Sequence, residues 1–205
     1  MIHAFIYGAI LAFGLIVPLG VQNVFVFNQG ATQLHYLHAL PSVLTAFICD
    51  VILILGSVLG VSVVVLTVPW LKIVIFLIGI VFLVYMGWVT WNSKAKLREG
   101  STPLSPKRQI AFAVSVSLLN PHALLDTIGV IGTNALHFSG KEKWMYTFAC
   151  IFVSFCWFCG LSIAGHFFHK IDKTGHKMLY VNKLSAIIIW GVALYIVWQL
   201  LQTAS

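Results

Sequence analysis

The run VLTAFICDVILILGSVLGVSVVVLTV, from Val43 to Val68, holds a single charged residue, Asp50. A stretch this long and apolar reads as a membrane-spanning helix, for which about 20 apolar residues suffice. A second run, Ile110 to Phe138, holds none but Asp126. A carboxylate at mid-bilayer depth costs about 2.5–3.5 kcal/mol on insertion scales, so it persists where it faces a partner or a polar pathway.

The rest of the chain agrees with a membrane setting. Its 205 residues are 60% hydrophobic and only 8% charged, whereas soluble domains carry about 25% charged residues. A soluble globular fold is excluded. The net charge of +7 does not point to nucleic acid, because the basic residues fall in the gaps between apolar runs, where membrane proteins keep them. The N-terminus has no Lys/Arg region before its apolar run, which continues to about Phe27, so the first segment is expected to stay as a span.

Six helices are predicted, over about 4–27, 40–66, 70–91, 110–136, 144–168 and 184–202. The most polar loop, 92–109, contains Gly100, Pro103 and Pro106 and divides the chain into two halves of three spans. The expected organisation is one transporter domain over 1–205, with one repeat over about 1–92 and a second over about 110–205. Lys94, Lys96, Arg98, Lys107, Arg108, Lys170, Lys173, Lys177 and Lys183 lie on one side of such a layout, against Lys72, Lys141 and Lys143 on the other. The positive-inside rule then makes the 92–109 loop cytoplasmic and puts both termini outside.

The halves resemble each other weakly. Ala12-Phe13 followed by Pro18-Leu19-Gly20-Val21-Gln22-Asn23 matches Ala111-Phe112 followed by Leu118-Leu119-Asn120-Pro121-His122, and Gly79–Leu83 parallels Gly191–Tyr195. Three spans per half make the second copy inverted, and paired interrupted helices in opposite halves point to a transporter's central site. Pro18 and Pro121 each lack a backbone donor. Gly20 opens the chain further at small steric cost. Gln22, Asn23 and Asn120 supply amides where backbone groups are freed. Irregular backbone at membrane depth needs protein or a polar cavity around it.

Asp50 and Asp126 have Ser57 and Thr133 seven residues on, on the same helical face. No lysine or arginine lies deep in any span, so protonation, His122, polar hydrogen bonds or a cationic ligand must accommodate the two acids. His122 relays protons, bonds a substrate carboxylate, or satisfies a carbonyl freed by Pro121. No His/carboxylate cluster supports a metal site. The Cys156-Trp157-Phe158-Cys159 spacing reads as packing within an apolar helix, and Gly56–Gly60 is a GxxxG pattern that allows a close helix approach. Trp70, Trp88, Trp91, Trp144 and Trp198 read as interfacial anchors.

Pro18–Val26 and Leu119–Thr127 resemble the two signature segments of the lysine exporter (LysE) family, and Cys49-Asp50 and Ser154–Phe158 are similar to its pattern. The resemblance covers nearly the whole chain. It implies an all-α integral membrane protein of the inner or plasma membrane, a transporter without enzymatic activity or cofactor. The Asn120-Pro121-His122 and Leu125-Asp126-Thr127 version looks most like the branch that exports lysine and arginine. Val21, where the family often has proline, and Asn28, where a basic residue is common, are departures. The expected function is export of a cationic amino acid in exchange for protons, with neutral amino acids or a divalent cation as alternatives on the same scaffold. The expected binding residues are Asp50, Asp126, Gln22, Asn23, Asn120, His122 and Thr127, between helices broken at Pro18, Gly20 and Pro121. The small chain suits a homodimer in the lipid bilayer. A membrane thiol relay would need cysteines near the breaks of spans one and four, and neither span contains one. A pure scaffold role would leave the two acids unexplained.

Overall fold

The computed structural model describes residues 1–17, 20–33, 35–60, 69–92, 104–120, 123–124, 126–171 and 176–204. Among them every regular element is helical. The first predicted span is two helices, α1 (Ile2–Ile16) and α2 (Val21–Thr32), meeting at an 80° bend. Pro18 lies outside the described residues. Gly20 precedes α2 with φ −80° and ψ 172°, extended backbone that any residue adopts. A Cβ there would meet only Asn120 Nδ2, at 3.8 Å, so the break does not depend on glycine's conformational freedom.

A 3₁₀ turn (Tyr36–Ala39) leads into α3 (Leu40–Val58). Pro41 sits in its first turn, where a missing N–H has no helical partner to lose. The helix stops well before residue 66, because Gly60 turns the chain in the left-handed region at φ +90°. Among the described residues the Gly56–Gly60 pattern therefore makes no close helix contact: Gly60 is in the turn, and a Cβ on Gly56 would meet nothing within 4 Å. After α4 (Pro69–Trp91), α5 (Pro106–Leu118) again starts with proline. The fourth predicted span is also not one α-helix. Pro121 and His122 lie outside the described residues, and Asp126–Gly132 is π-helical. A 3₁₀ turn (Ala135–His137) then precedes the two longest helices, α6 (Gly140–Ile171) and α7 (His176–Ala204).

Leu37–Val58, Gly140–Phe168 and Leu179–Gln202 are long and apolar enough to cross a membrane, at 22, 29 and 24 residues. At about 1.5 Å per residue even the shortest covers a hydrocarbon core of about 30 Å. The bent α1–α2 pair passes as a fourth span if counted as one broken helix, and Leu77–Trp91 is a shorter apolar helix. Ile10, Ile52, Val81, Leu194 and many other large apolar side chains lie on the outside. Such a surface suits lipid and would be an aggregation hazard in water.

The packing is reciprocal. α6 lies along α1, α2 and α3; α3 in turn packs on α5 and the π segment; α4 pairs with α7. Each broken helix of one half thus rests on the middle helix of the other. Two glycines make approaches at corresponding places in the two halves. A Cβ on Gly30 would collide with Ser162 O and lie 2.8 Å from its carbonyl carbon, and one on Gly132 would lie 3.2 Å from Ser57 O. Gly30 and Gly132 are 102 positions apart and Ser57 and Ser162 are 105 apart, so the two contacts match when the halves are exchanged.

Side-chain hydrogen bonds tie the bundle together toward both ends. Tyr7 Oη donates to Asn134 Oδ1 at 2.6 Å, and the buried Tyr146 donates to Ile131 O of the π segment at 3.0 Å. Near the C-terminus of α2, Gln33 Nε2 donates to Leu104 O at 3.2 Å. Gln109 Nε2 donates to the same carbonyl at 3.0 Å and to His38 O at 2.9 Å.

Candidate functional site

Between the two tied ends lies a cavity of about 140 Å³. Its walls come from α1 (Ala12, Leu15, Ile16), the α1–α2 break and the first turn of α2 (Gly20–Asn23), and α3 (Asp50, Ile54). Asn120, Ala123, Asp126, Thr127 and Ile131 line it from the fourth predicted span. Cys150, Ser154 and Phe158 line it from α6, Leu83 from α4, and Ile188, Ile189 and Val192 from α7. The two acids and the predicted amides, 28 to 104 positions apart in sequence for Gln22–Asp50 and Gln22–Asp126, therefore share one chamber. His122 lies outside the described residues.

Asp50 is the best-defined group. It is half-buried on α3 and each of its oxygens accepts one hydrogen bond from a neutral side chain. Gln22 Nε2, in the first turn of α2, donates to Oδ1 at 3.1 Å, and Ser154 Oγ, on α6, donates to Oδ2 at 2.8 Å. Hydrogen bonds to an ionised acceptor are roughly twice as strong as neutral ones, so this clamp fixes the carboxylate's direction. It supplies no compensating charge. Among the described lining residues there is no lysine, arginine or histidine. A cation from outside would therefore find two acids and, among the described lining residues, no fixed competitor.

The broken helix is itself stitched through the site. Asn23 Nδ2 donates at 2.6 Å to Ile16 O, a carbonyl at the end of α1 that the break leaves without its helical partner. Val24 N bonds Gly20 O at 3.1 Å, so the second half-helix of the first span begins at the cavity wall, and Leu124 N bonds Asn120 O at 3.1 Å. Asn23 and Asn120 are buried, while Asp126 and Thr127 are half-buried at the start of the π segment. The first N–H groups of such half-helices carry partial positive charge and suit a substrate carboxylate.

Some sequence expectations do not meet here. Thr133 does not share the face of Asp126, because an i→i+5 helix packs more residues into a turn than the i+7 rule assumes. Its hydroxyl bonds back to Gly129 O at 2.5 Å and Val130 O at 3.2 Å. Ser57 likewise bonds Leu53 O at 2.7 Å, within its own helix. Cys156 is exposed and Cys159 half-buried, and neither lines the cavity. Ser154, which lines the cavity and bonds Asp50, is not singled out by the sequence alone. A lone serine in an apolar helix is ordinary helix-to-helix glue, and its only signal was its place in a segment similar to the family pattern.

Comparison with known proteins bears on this arrangement. The family model described as LysE type translocator matches residues 13–200. A Bacillus subtilis (strain 168) protein, the candidate amino-acid transporter YisU, is 54% identical over 194 residues, covering 94% of this chain and 88% of the relative. The arginine exporter protein ArgO of Escherichia coli O157:H7 is 30% identical over 199 residues, covering 95% of this chain and 93% of the relative. ArgO of Serratia proteamaculans (strain 568) is 28% identical over 207 residues, covering 97% and 98%. No solved structure gives a significant match.

Proposed function

The chain belongs to the LysE family of translocators, and on that premise we propose that it exports basic amino acids, arginine and lysine, in exchange for protons. A family of amino-acid transporters together with several long apolar helices makes it a multi-pass membrane protein and not an enzyme. The observation that carries the substrate reading is the shared chamber of Asp50 and Asp126 with no cation among its described lining residues. A basic amino acid brings two cationic groups and one carboxylate. Two acids answer the former, and the amides of Gln22, Asn23 and Asn120 with the adjoining helix starts answer the latter. Thr127 and His122 complete the proposed site, and the breaks at Pro18, Gly20 and Pro121 give it access to freed backbone groups. The name of the ArgO relatives, arginine exporter protein, supports the same substrate class.

In this reading the architecture is two inverted three-helix repeats, about 1–92 and 110–205, joined by a cytoplasmic loop with both termini outside. Two observations support it: the reciprocal packing of each broken helix on the other half's middle helix, and the matched Gly30–Ser162 and Gly132–Ser57 approaches. Energetics supports the proton exchange proposed here. Moving one positive charge out of a negative-inside cell costs about 2.3 kcal/mol per 100 mV. A one-for-one exchange of a proton for a monovalent cation is electroneutral and draws only on the pH gradient.

The test is efflux of labelled arginine and lysine from preloaded cells that lack their own exporters. Competition by arginine and lysine but not by leucine, threonine or cadmium, with collapse under a protonophore, is the expected result. Efflux of leucine or cadmium with none of arginine or lysine would overturn the substrate assignment.

A further inference from the structure

We propose that Ser154 is the positioning residue that lets Asp50 take up and give back a proton inside the cavity. The inference rests on the proton-coupled reading above and adds the atom at which coupling occurs.

The two donors on Asp50 are chemically unequal. Gln22 meets Oδ1 through an amide NH₂ group, which only donates, whereas Ser154 meets Oδ2 through a hydroxyl, which donates or accepts as it rotates. Both fit the ionised carboxylate. Once a proton arrives, the new O–H needs an acceptor, and a buried donor left without one is costly. At Oδ1 the proton would face another N–H. At Oδ2 the Ser154 hydroxyl can turn its hydrogen toward a carbonyl one turn back, the common alternative for a helical serine, and accept with Oγ.

The cycle then balances. A proton from the outer solution bonds Oδ2, and the O–H so formed donates to Ser154 Oγ. When that proton leaves to the cytoplasm, the serine hydroxyl swings back and donates to Oδ2 again, and the restored carboxylate is ready for the next cation. Other titratable groups lie at or beside the chamber. Asp126 on the π segment and Cys150 on α6 line the chamber, and Cys49 adjoins Asp50 in sequence. Among the described lining residues there is no lysine, arginine or histidine to shuttle the proton instead.

The clamp also lies across the two halves. Gln22 and Asp50 belong to the first half and Ser154 to the second. Asp50 and Ser154 are 104 positions apart, within the 102 to 105 that relates the matched Gly–Ser contacts, so the carboxylate of one half faces the hydroxyl at the corresponding place of the other.

The experiment compares purified wild type, Ser154→Val and Ser154→Thr in liposomes. One assay follows exchange of labelled for unlabelled arginine at equal pH, which needs no proton cycle. The other follows arginine transport driven by a pH gradient alone. For Ser154→Val the ratio of gradient-driven transport to exchange should fall about tenfold or more, the scale expected for one unpaired buried donor. Ser154→Thr, which keeps the hydroxyl, should restore the ratio. A ratio unchanged in Ser154→Val, whether both rates persist or both fall together, overturns the role of Ser154 while a responsive wild type leaves proton coupling standing. A wild type that exchanges arginine but ignores the pH gradient overturns the coupled reading itself, and the role of Ser154 with it.

Discussion

Gly30→Ala should loosen the site from a distance, through the contact between α2 and α6. The added Cβ would collide with Ser162 O and lie 2.8 Å from both the carbonyl carbon and Cα of Ser162, where ordinary contact begins at 3.4 Å. These are backbone atoms, so no side-chain rotation relieves the clash, and α2 must retreat from α6 by at least the 0.6 Å difference. Gly165 meets Phe27 O and Ala31 N from the facing helix, which leaves little room for the pair to slide instead. Overpacking of this kind costs about 1–3 kcal/mol. Alanine's better helix propensity returns up to about 1 kcal/mol, leaving a net loss of about 1–2 kcal/mol for a clash at the upper end. Gln22 rides on the same helix, and its 3.1 Å bond to Asp50 has little slack before hydrogen-bond range ends. The melting temperature of detergent-purified protein should fall by a few degrees, and arginine efflux should fall about tenfold if about 1.4 kcal/mol is lost at the site. Gly14→Ala is the matched control, since nothing lies within 4 Å of its added Cβ. A Gly30→Ala protein that melts and exports like wild type would refute the reasoning.

Three further outcomes follow from the packing around the chamber. Tyr146→Phe removes the hydroxyl that bonds Ile131 O and should cost about 1–2 kcal/mol in chemical denaturation of purified protein; no loss would mean the π segment does not lean on that bond. Gln109→Ala takes away two hydrogen bonds, to His38 O and Leu104 O, from a fully buried position. It should destabilise by about 2–3 kcal/mol, read as a lower melting temperature, and a neutral effect would contradict the tie drawn between α5 and the turn before α3. Glu142→Gln breaks the 2.9 Å ion pair with the N-terminal ammonium, both partners being more than half exposed. Its melting curve should overlay that of wild type at ordinary salt, and a clear drop would show the pair to be more than a surface contact.

Much of this was legible in the sequence because the signals were local and costly. An acid in an apolar run, or a proline beside paired amides, has few cheap explanations in a bilayer, and Gln22, Asp50, Asn120 and Asp126 all line one cavity. What escaped depended on register or on a distant partner. No residue pattern in Asp126–Gly132 distinguishes i→i+5 from i→i+4 bonding, so the seven-residue spacing misplaces Thr133. The Gly56–Gly60 spacing suggested a helix contact, yet Gly60 ends the helix, while Gly30, Gly132 and Gly165, which have no such spacing, carry the close approaches. Ser154 could not be singled out until the fold brought α6 against α3, because its chemistry lies wholly in what it faces.

The central claim is that Asp50 and Asp126 together receive the cation. The most direct measurement is labelled arginine efflux from liposomes carrying wild type, Asp50→Asn or Asp126→Asn, with inserted protein quantified for each. Asparagine keeps the size of the side chain and one acceptor oxygen, turns the other into an NH₂ donor, and removes the charge and the titrating proton. Net export should disappear in both variants while insertion and monodispersity stay at wild-type levels. Wild-type export by both well-inserted variants would contradict the account.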